Sequence, residues 1–386
     1  MLFSMTFEGQ LADPADEHEV LRHCVEQAVL AEEAGFDRVW AVEHHGLQWC
    51  AHMSAPEIFL SMVAARTSRI RIGHGVVCLP FAVNHPVRVA ERAAMLDVLS
   101  GGRLDLGVGR GATEVEMSLF GLDSERAYAE LEEGLRILGA AWQEEYLDWH
   151  GKLMTIDHLR LLPRPQQLPH PPLFLACSRQ QTVELAAEYG VGALVMGFGG
   201  VEEVRRFRKI YDDAVASRGT DRLVSTTVND HLAALCPTVV LEDGARAQQI
   251  GVRAQRFFAQ SIGHYYMGRP RPDESVDPVT RELGRPDADR DQARAMDRAR
   301  DEQVAFLNKV GIPADPTTLG VFNTEHAYGT PEQAIRYVEQ LRDAGADEVI
   351  CLIQMGTVPL DVCTRTIRLW GEHVIPHFRK KRAAVA

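Results

Sequence analysis

Strand-like and helix-like segments alternate along this chain with short connections, and that rhythm restricts the fold more than any single motif. A first strand is expected near 2–7, followed by a helix at about 17–34 in which Val20, Cys24, Ala28 and Ala31 recur at helical spacing. The apolar run ending in Glu43-His44-His45 reads as a second strand (37–43), and Ser54-Ala55-Pro56 opens a helix at about 55–67. Strand Ile70–Val77, helix Pro86–Leu99 and strand Leu104–Gly109 follow, with Gly101-Gly102 between the last two. A helix at about 124–142 leads through irregular segments and a Pro-rich stretch to strand Leu173–Cys177. The remaining elements are helix 180–189, strand Ala193–Met196, helix 201–217, a strand near 224–235 and a helix at about 242–262. Helix Pro331–Ala344, strand Glu348–Ile353 and helix Pro359–Trp370 close the series. About eight such units imply right-handed crossovers and an α/β fold, a (β/α)8 TIM barrel with insertions. An open doubly wound sheet is the alternative; it would normally carry Gly-x-Gly-x-x-Gly after the first strand, and this chain does not.

One domain over 1–378 is expected, with its longest insertion, charged and late, at about 263–328 and a basic flexible tail at 379–386. Within the insertion, residues 268–302 are dense in charge, which suits a solvated segment or a lid over the barrel mouth. The formal charge of −13 argues against a nucleic-acid partner. No apolar stretch approaches the roughly 20 residues that span a bilayer, and Met-Leu-Phe-Ser-Met-Thr-Phe has no signal-peptide character, so no membrane role is expected. The 7 cysteines are scattered without a Cys-x-x-Cys pair, which suits reduced thiols in a cytoplasmic protein.

Polar groups at the end of a buried strand cost free energy in a core, so Glu43, His44 and His45 belong at the open carboxyl end of the sheet, where α/β folds collect their chemistry. Histidine there can be a general acid/base or a structural hydrogen-bonder. A metal reading lacks a convincing set of further ligands at other strand ends, so no metal site is expected.

Ala34-Gly-Phe-Asp-Arg-Val-Trp-Ala-Val-Glu-His-His45 resembles the second strand of the bacterial luciferase-like flavin-dependent monooxygenases. Ile72–Pro80, Asn84–Arg88, Ser100–Gly111, Gly329–Ile335 and Ala344–Ile350 resemble that family in the same order. The resemblance implies an oxidoreductase barrel that binds reduced FMN from a separate, transiently docking flavin reductase and uses O2 to oxygenate a small organic substrate. A 5-deazaflavin-dependent oxidoreductase and a non-catalytic flavin-binding protein are the alternatives on the same barrel. It further implies His44 as catalytic acid/base, with Glu43 and His45 beside it. Gly75-Val76 matches a non-prolyl cis peptide beside the flavin ring, with Gly109 nearby. Arg110, Arg126 and the loop Ala176-Cys177-Ser178 to Thr182 match positions that hold the phosphate, at a helix N-terminus suited to an anion. The rim salt bridge is the competing reading for Arg110. Gly109 stands where luciferase has a reactive cysteine, which argues against light emission and suggests room beside the ring. Cys177 is expected to be a buried, inert thiol. Relatives pair as homodimers through the second and third helices, where Ile58, Phe59, Met62 and Val63 suit either a contact or an ordinary core.

Overall fold

A computed structural model describes residues 1–11, 17–267, 300, 301, 304, 305 and 320–383. The strands are β1 (Leu2–Phe7), β2 (Arg38–Ala41), β3 (Arg71–Cys78), β4 (Leu104–Gly109), β5 (Leu147–His150), β6 (Thr155–Leu159), β7 (Leu173–Cys177), β8 (Gly192–Val195), β9 (Leu232–Val240), β10 (Ala327–Gly329) and β11 (Glu348–Leu352). Eight of them run in the order β11-β1-β2-β3-β4-β7-β8-β9, every neighbouring pair parallel, and β9 pairs back with β11. The barrel is closed, as the alternation implied. No sheet edge survives within it, and the helices cover its outside.

The helices that position the site are α1 (Glu17–Ala34), α2 (Pro56–Arg66), α3 (Pro86–Leu99), α4 (Glu114–Leu119), α5 (Ser124–Gln143), α6 (Gln180–Tyr189), α7 (Gly200–Ser217) and α8 (Gly244–Met267). After these come α9 (Pro331–Asp343), α10 (Leu360–Leu369) and α11 (Ile375–Ala383). Local chemistry sets their ends. Pro86 occupies the first turn of α3, and Gly101 and Gly102, at φ 72° and 79°, turn the chain out of it into β4.

Three sequence expectations shift. The strand placed near 224–235 runs instead over Leu232–Val240, continuing through Pro237 between β8, β11 and the short added strand β10. The irregular stretch after α5 contains an antiparallel hairpin, β5–β6. The basic end is helical as far as Ala383, and Arg379 donates to the Gly35 carbonyl at 2.6 Å and to Asp37 at 3.0 Å. Most of the charged insertion at 263–328 lies outside the described residues, while 263–267 belong to α8. Among the described residues no helix is long and apolar enough to cross a membrane.

The barrel interior is sealed at its amino-terminal end. Arg38 donates to Asp105 at 2.6 Å and to Glu348, which also accepts from Trp40 Nε1 at 2.9 Å and pairs with His231 at 3.0 Å. Arg71 grips Asp105 from the other side at 2.7 Å. Buried charges are tolerable only when paired this fully. Above the ion cluster Trp40 stacks edge-on against Phe174, with ring centroids 5.1 Å apart, and packs with Ala233 and Ile350. Gly73 makes room for that indole: a methyl group there would lie 2.3 Å from the Trp40 ring. The indole layer and the ion cluster fill the lower barrel, so the carboxyl end is where a ligand can enter.

Candidate active site

Strand parity decides which groups reach that end. Arg38 and Trp40 point inward from β2, and His44 continues their parity beyond the strand, while Glu43 has the opposite parity. The carboxylate of Glu43 is buried outside the barrel wall, accepting from the Cys78 N–H at 2.6 Å and from Asn84 Nδ2 at 2.9 and 3.1 Å. His45 Nε2 sits 3.3 Å from the same carboxylate, and its ring packs edge-on to Phe120. Glu43 and the His45 ring therefore brace the strand end, and the His44 ring is held by a group across the barrel mouth.

That group is Glu116. Thr113 and Glu116 form the capping box that starts α4, with Thr113 Oγ1 donating to Glu116 Oε2 at 2.9 Å and accepting from the Glu116 N–H at 3.1 Å. The other carboxylate oxygen lies 2.8 Å from His44 Nδ1 and accepts the His45 N–H at 3.0 Å. Burial opposes ionisation of Glu116, but these hydrogen bonds outweigh it and hold its carboxyl below the usual range. Burial likewise disfavours a charged His44, yet Glu116, Glu8 and Glu43 overcome it and raise the imidazole's pKa. Glu8, the first residue after β1, places Oε2 3.9 Å from His44 Nε2. Burial pushes the Glu8 carboxyl up, with His44 pulling it down and Glu116 adding to the rise.

Glu8 and Glu116 were not among the sequence candidates, and each left a trace. Glu8 is the first charge after a neutral, largely apolar opening strand, and Thr113-x-x-Glu116 is a capping-box spacing. Tyr266, near the end of α8 and 41% exposed, also reaches this region, where Cys50, Glu116, Glu8 and Cys78 act on its charge.

Three neighbouring strands carry small residues toward this end, Gly75, Gly109 and Ala176. The Gly75-Val76 peptide is cis, as the resemblance implied. Gly109 and Ala176 are neighbours across β4 and β7, the Ala176 methyl lying 3.6 Å from where a Gly109 Cβ would stand. The room expected beside Gly109 is smaller than the missing side chain suggests, because Val76 Cγ2 would come within 2.6 Å of that Cβ.

The cationic edge divides. Arg110 lies over the Tyr128 ring at 4.5 Å, with its guanidinium 3.8 Å from Met117 Sδ. Arg126 is two-thirds exposed and bridges to the buried Glu130 at 2.7 Å, an arrangement that raises its pKa. Ser178 is exposed at the approach to α6, whereas Thr182 Oγ1 donates back to the Arg179 carbonyl at 2.8 Å and so closes the helix start. Cys177 is buried, its thiol pushed up by burial and turned toward the carbonyls of Leu175 and Thr182, which suits an inert packing role.

Residues 1–348 match the family model described as luciferase-like monooxygenase. The chain belongs to that family. The luciferase-like chain is 30% identical over 210 residues to the oxygenase component of the flavin-dependent trigonelline monooxygenase of Acinetobacter baylyi, covering 53% of this chain and 57% of that relative. It is 24% identical over 369 residues to an alkanal monooxygenase alpha chain of Photorhabdus luminescens, covering 95% and 94% of the two. Its fold superposes on the crystal structure of monooxygenase RslO1 from Streptomyces bottropensis with a TM-score of 0.76 at 26% identity, covering 98% of this chain and 100% of that one. An oxidoreductase barrel of this family is what the fold and the matches have in common.

Proposed function

We propose that the enzyme takes reduced FMN from a separate reductase and uses O2 to oxygenate a small organic substrate. The observation that carries this reading is His44, clamped by Glu116, at the open end of a plugged barrel whose adjoining strands carry the small residues Gly75, Gly109 and Ala176. A flat tricyclic ring needs close backbone approach on one side, and side chains there would keep it away. When bound, reduced flavin supplies the electrons that activate O2.

The chain's own residues supply the rest. Gly75, Val76, Gly109 and Ala176 would line the ring. Arg110, Ser178 and the leading N–H groups of α6, which have no partner within the helix, would meet the phosphate, with Thr182 fixing the loop that presents them. Arg126 would join only by releasing Glu130. His44 exchanges a proton at Nε2 while Glu116 fixes the ring through Nδ1, and Glu43 and His45 hold the turn that aims it. The seven buried free thiols support a reducing, cytoplasmic setting.

The test is to couple the protein to an FMN reductase with a panel of small organic substrates under isotopically labelled O2. One labelled oxygen atom in a product is expected. Turnover with a reduced 5-deazaflavin and no label would replace this reading with hydride transfer; flavin binding without any product would favour a non-catalytic carrier.

A homodimer is proposed through α2 and α3. Ile58 and Met62 are exposed at 67% and 52%, and Met95 and Leu99 on the adjoining helix at 53% and 72%. Phe59 and Val63 are instead buried in the core. Ile58→Asp combined with Leu99→Asp is expected to turn a sedimenting dimer into a folded monomer; an unchanged sedimentation coefficient would remove this face from the interface.

A further inference from the structure

Glu8 is a carboxyl group that the proposed chemistry leaves unused. Its side chain is only 12% exposed, and Oε2 is buried without a hydrogen-bond partner among the described residues. An orphaned buried oxygen is costly, and its persistence at a strand end over a barrel mouth calls for an explanation. The neighbourhood offers one. Oε2 lies 3.9 Å from His44 Nε2, on the ring edge opposite the Nδ1 that Glu116 holds at 2.8 Å. That separation is too long for a direct hydrogen bond and is spanned by a single shared oxygen, from a water or a substrate hydroxyl. The ring is thus bracketed by two carboxyl groups, one in direct contact and one a single oxygen away.

We propose that Glu8 is a second proton-handling group of this site, exchanging a proton with His44 Nε2 through one bridging oxygen while Glu116 anchors Nδ1. This inference rests on His44 acting as acid/base in the reaction proposed above. The proton count closes. Nε2 releases its proton to the reacting oxygen, leaving a neutral imidazole whose remaining N–H is on Nδ1, held by Glu116. The Glu8 carboxyl O–H bond then breaks and its proton passes over the bridging oxygen to Nε2. Glu8, now a carboxylate, regains a proton from solvent. One proton moves from solvent to the reacting oxygen, and no electrons change hands.

The surroundings divide the two carboxyls as such a relay requires. Glu8 is held above the usual carboxylate range by burial, with Glu116 adding to the rise and His44 opposing it, while Glu116 is held below that range. Glu43 acts on the His44 charge from the end of β2, Cys50 and Tyr266 both feel Glu8 and Glu116, and Cys78 feels Glu43 and Glu116. Because Glu8 acts through His44, it is a positioning residue rather than a catalytic one.

Histidine-selective nitrogen NMR on the full-length, flavin-free chain tests this across mildly acidic to mildly alkaline pH. Wild-type His44 Nε2 is expected to follow two coupled steps. Glu8→Gln keeps the shape but cannot titrate; it should show one step, displaced to lower pH because an anionic neighbour is gone. Its turnover should fall about tenfold with KM nearly unchanged. Glu8→Asp, which retains the carboxyl, should restore two steps and serves as the readout if Glu8→Gln unfolds. An identical His44 titration in wild type and Glu8→Gln, or a single step in Glu8→Asp, overturns the proposal. The flavin reading is tested separately by FMNH2 binding: coupled titration without binding leaves the relay standing and removes the flavin, whereas binding without coupling removes only the relay.

Discussion

His44→Ala is expected to lower turnover by roughly a hundred- to ten-thousandfold while reduced flavin still binds. The size follows from position. The His44 ring is held at the barrel mouth from another element, its Nδ1 2.8 Å from Glu116 and its Nε2 turned toward Glu8. Removing it deletes the group that delivers the proton and leaves Glu116 still tied to Thr113 and to the His45 N–H, so the fold around α4 should persist. The wall made by Gly75, Gly109 and Ala176 is untouched, which is why binding should survive. Steady-state turnover beside anaerobic FMNH2 titration checks this. Unchanged turnover would remove the acid/base role, and lost binding would make His44 a cofactor-holding residue instead.

Arg38→Met is expected to cost about 3–5 kcal/mol of stability, because it strips the shared cation from two buried carboxylates. Asp105 would retain Arg71, but Glu348, a group with no exposure, would lose its cation and keep His231 and Trp40 as partners. Thermal melting should register a drop of several degrees or more. Pairing Arg38→Met with Glu348→Gln should recover part of the loss, since a buried pair is worth less than the penalty of breaking it. The pH dependence follows from the same cluster. Burial disfavours an ionised Glu348, but Arg38 and His231 outweigh it and lower its pKa to about 2. Its stabilising contribution is therefore full above the ordinary glutamate range and disappears as pH falls toward about 2. In Arg38→Met that loss should begin at higher pH. A melting temperature insensitive to Arg38→Met would show that the plug at the base of the barrel is not needed.

The barrel was legible because strands buried on both faces read as plain apolar runs, and Leu104–Gly109 and Leu173–Cys177 carry no competing signal. The β5–β6 hairpin was hidden by its exposure: His150 and Asp157 leave it without an apolar pattern. The ninth strand was placed too early because Val224-Ser-Thr-Thr-Val228 is β-branched and Pro237 reads as a stop, whereas pairing with β11 as far as Pro237 and with β10 from Thr238 carries β9 through that proline. In the site, His44 stood out as a polar group closing an apolar strand. Its two carboxyl neighbours did not, because their meeting with the ring is tertiary: Glu8 follows the end of β1, and Glu116 comes from a six-residue helix set by its own capping box. The cationic candidates depended on geometry that spacing cannot carry. Arg126 and Thr182 turned out to be engaged with Glu130 and Arg179, and Arg110 lies over the Tyr128 ring.

The central claim is that this barrel mouth receives reduced FMN. Anaerobic titration with FMNH2 and with a reduced 5-deazaflavin, followed by admission of O2, tests it most directly. Saturable FMNH2 binding that weakens in Arg110→Ala is expected, with reoxidation of the bound flavin at a rate distinct from that of free FMNH2. Absence of FMNH2 binding, or reoxidation indistinguishable from the free flavin while the deazaflavin binds tightly, would contradict it.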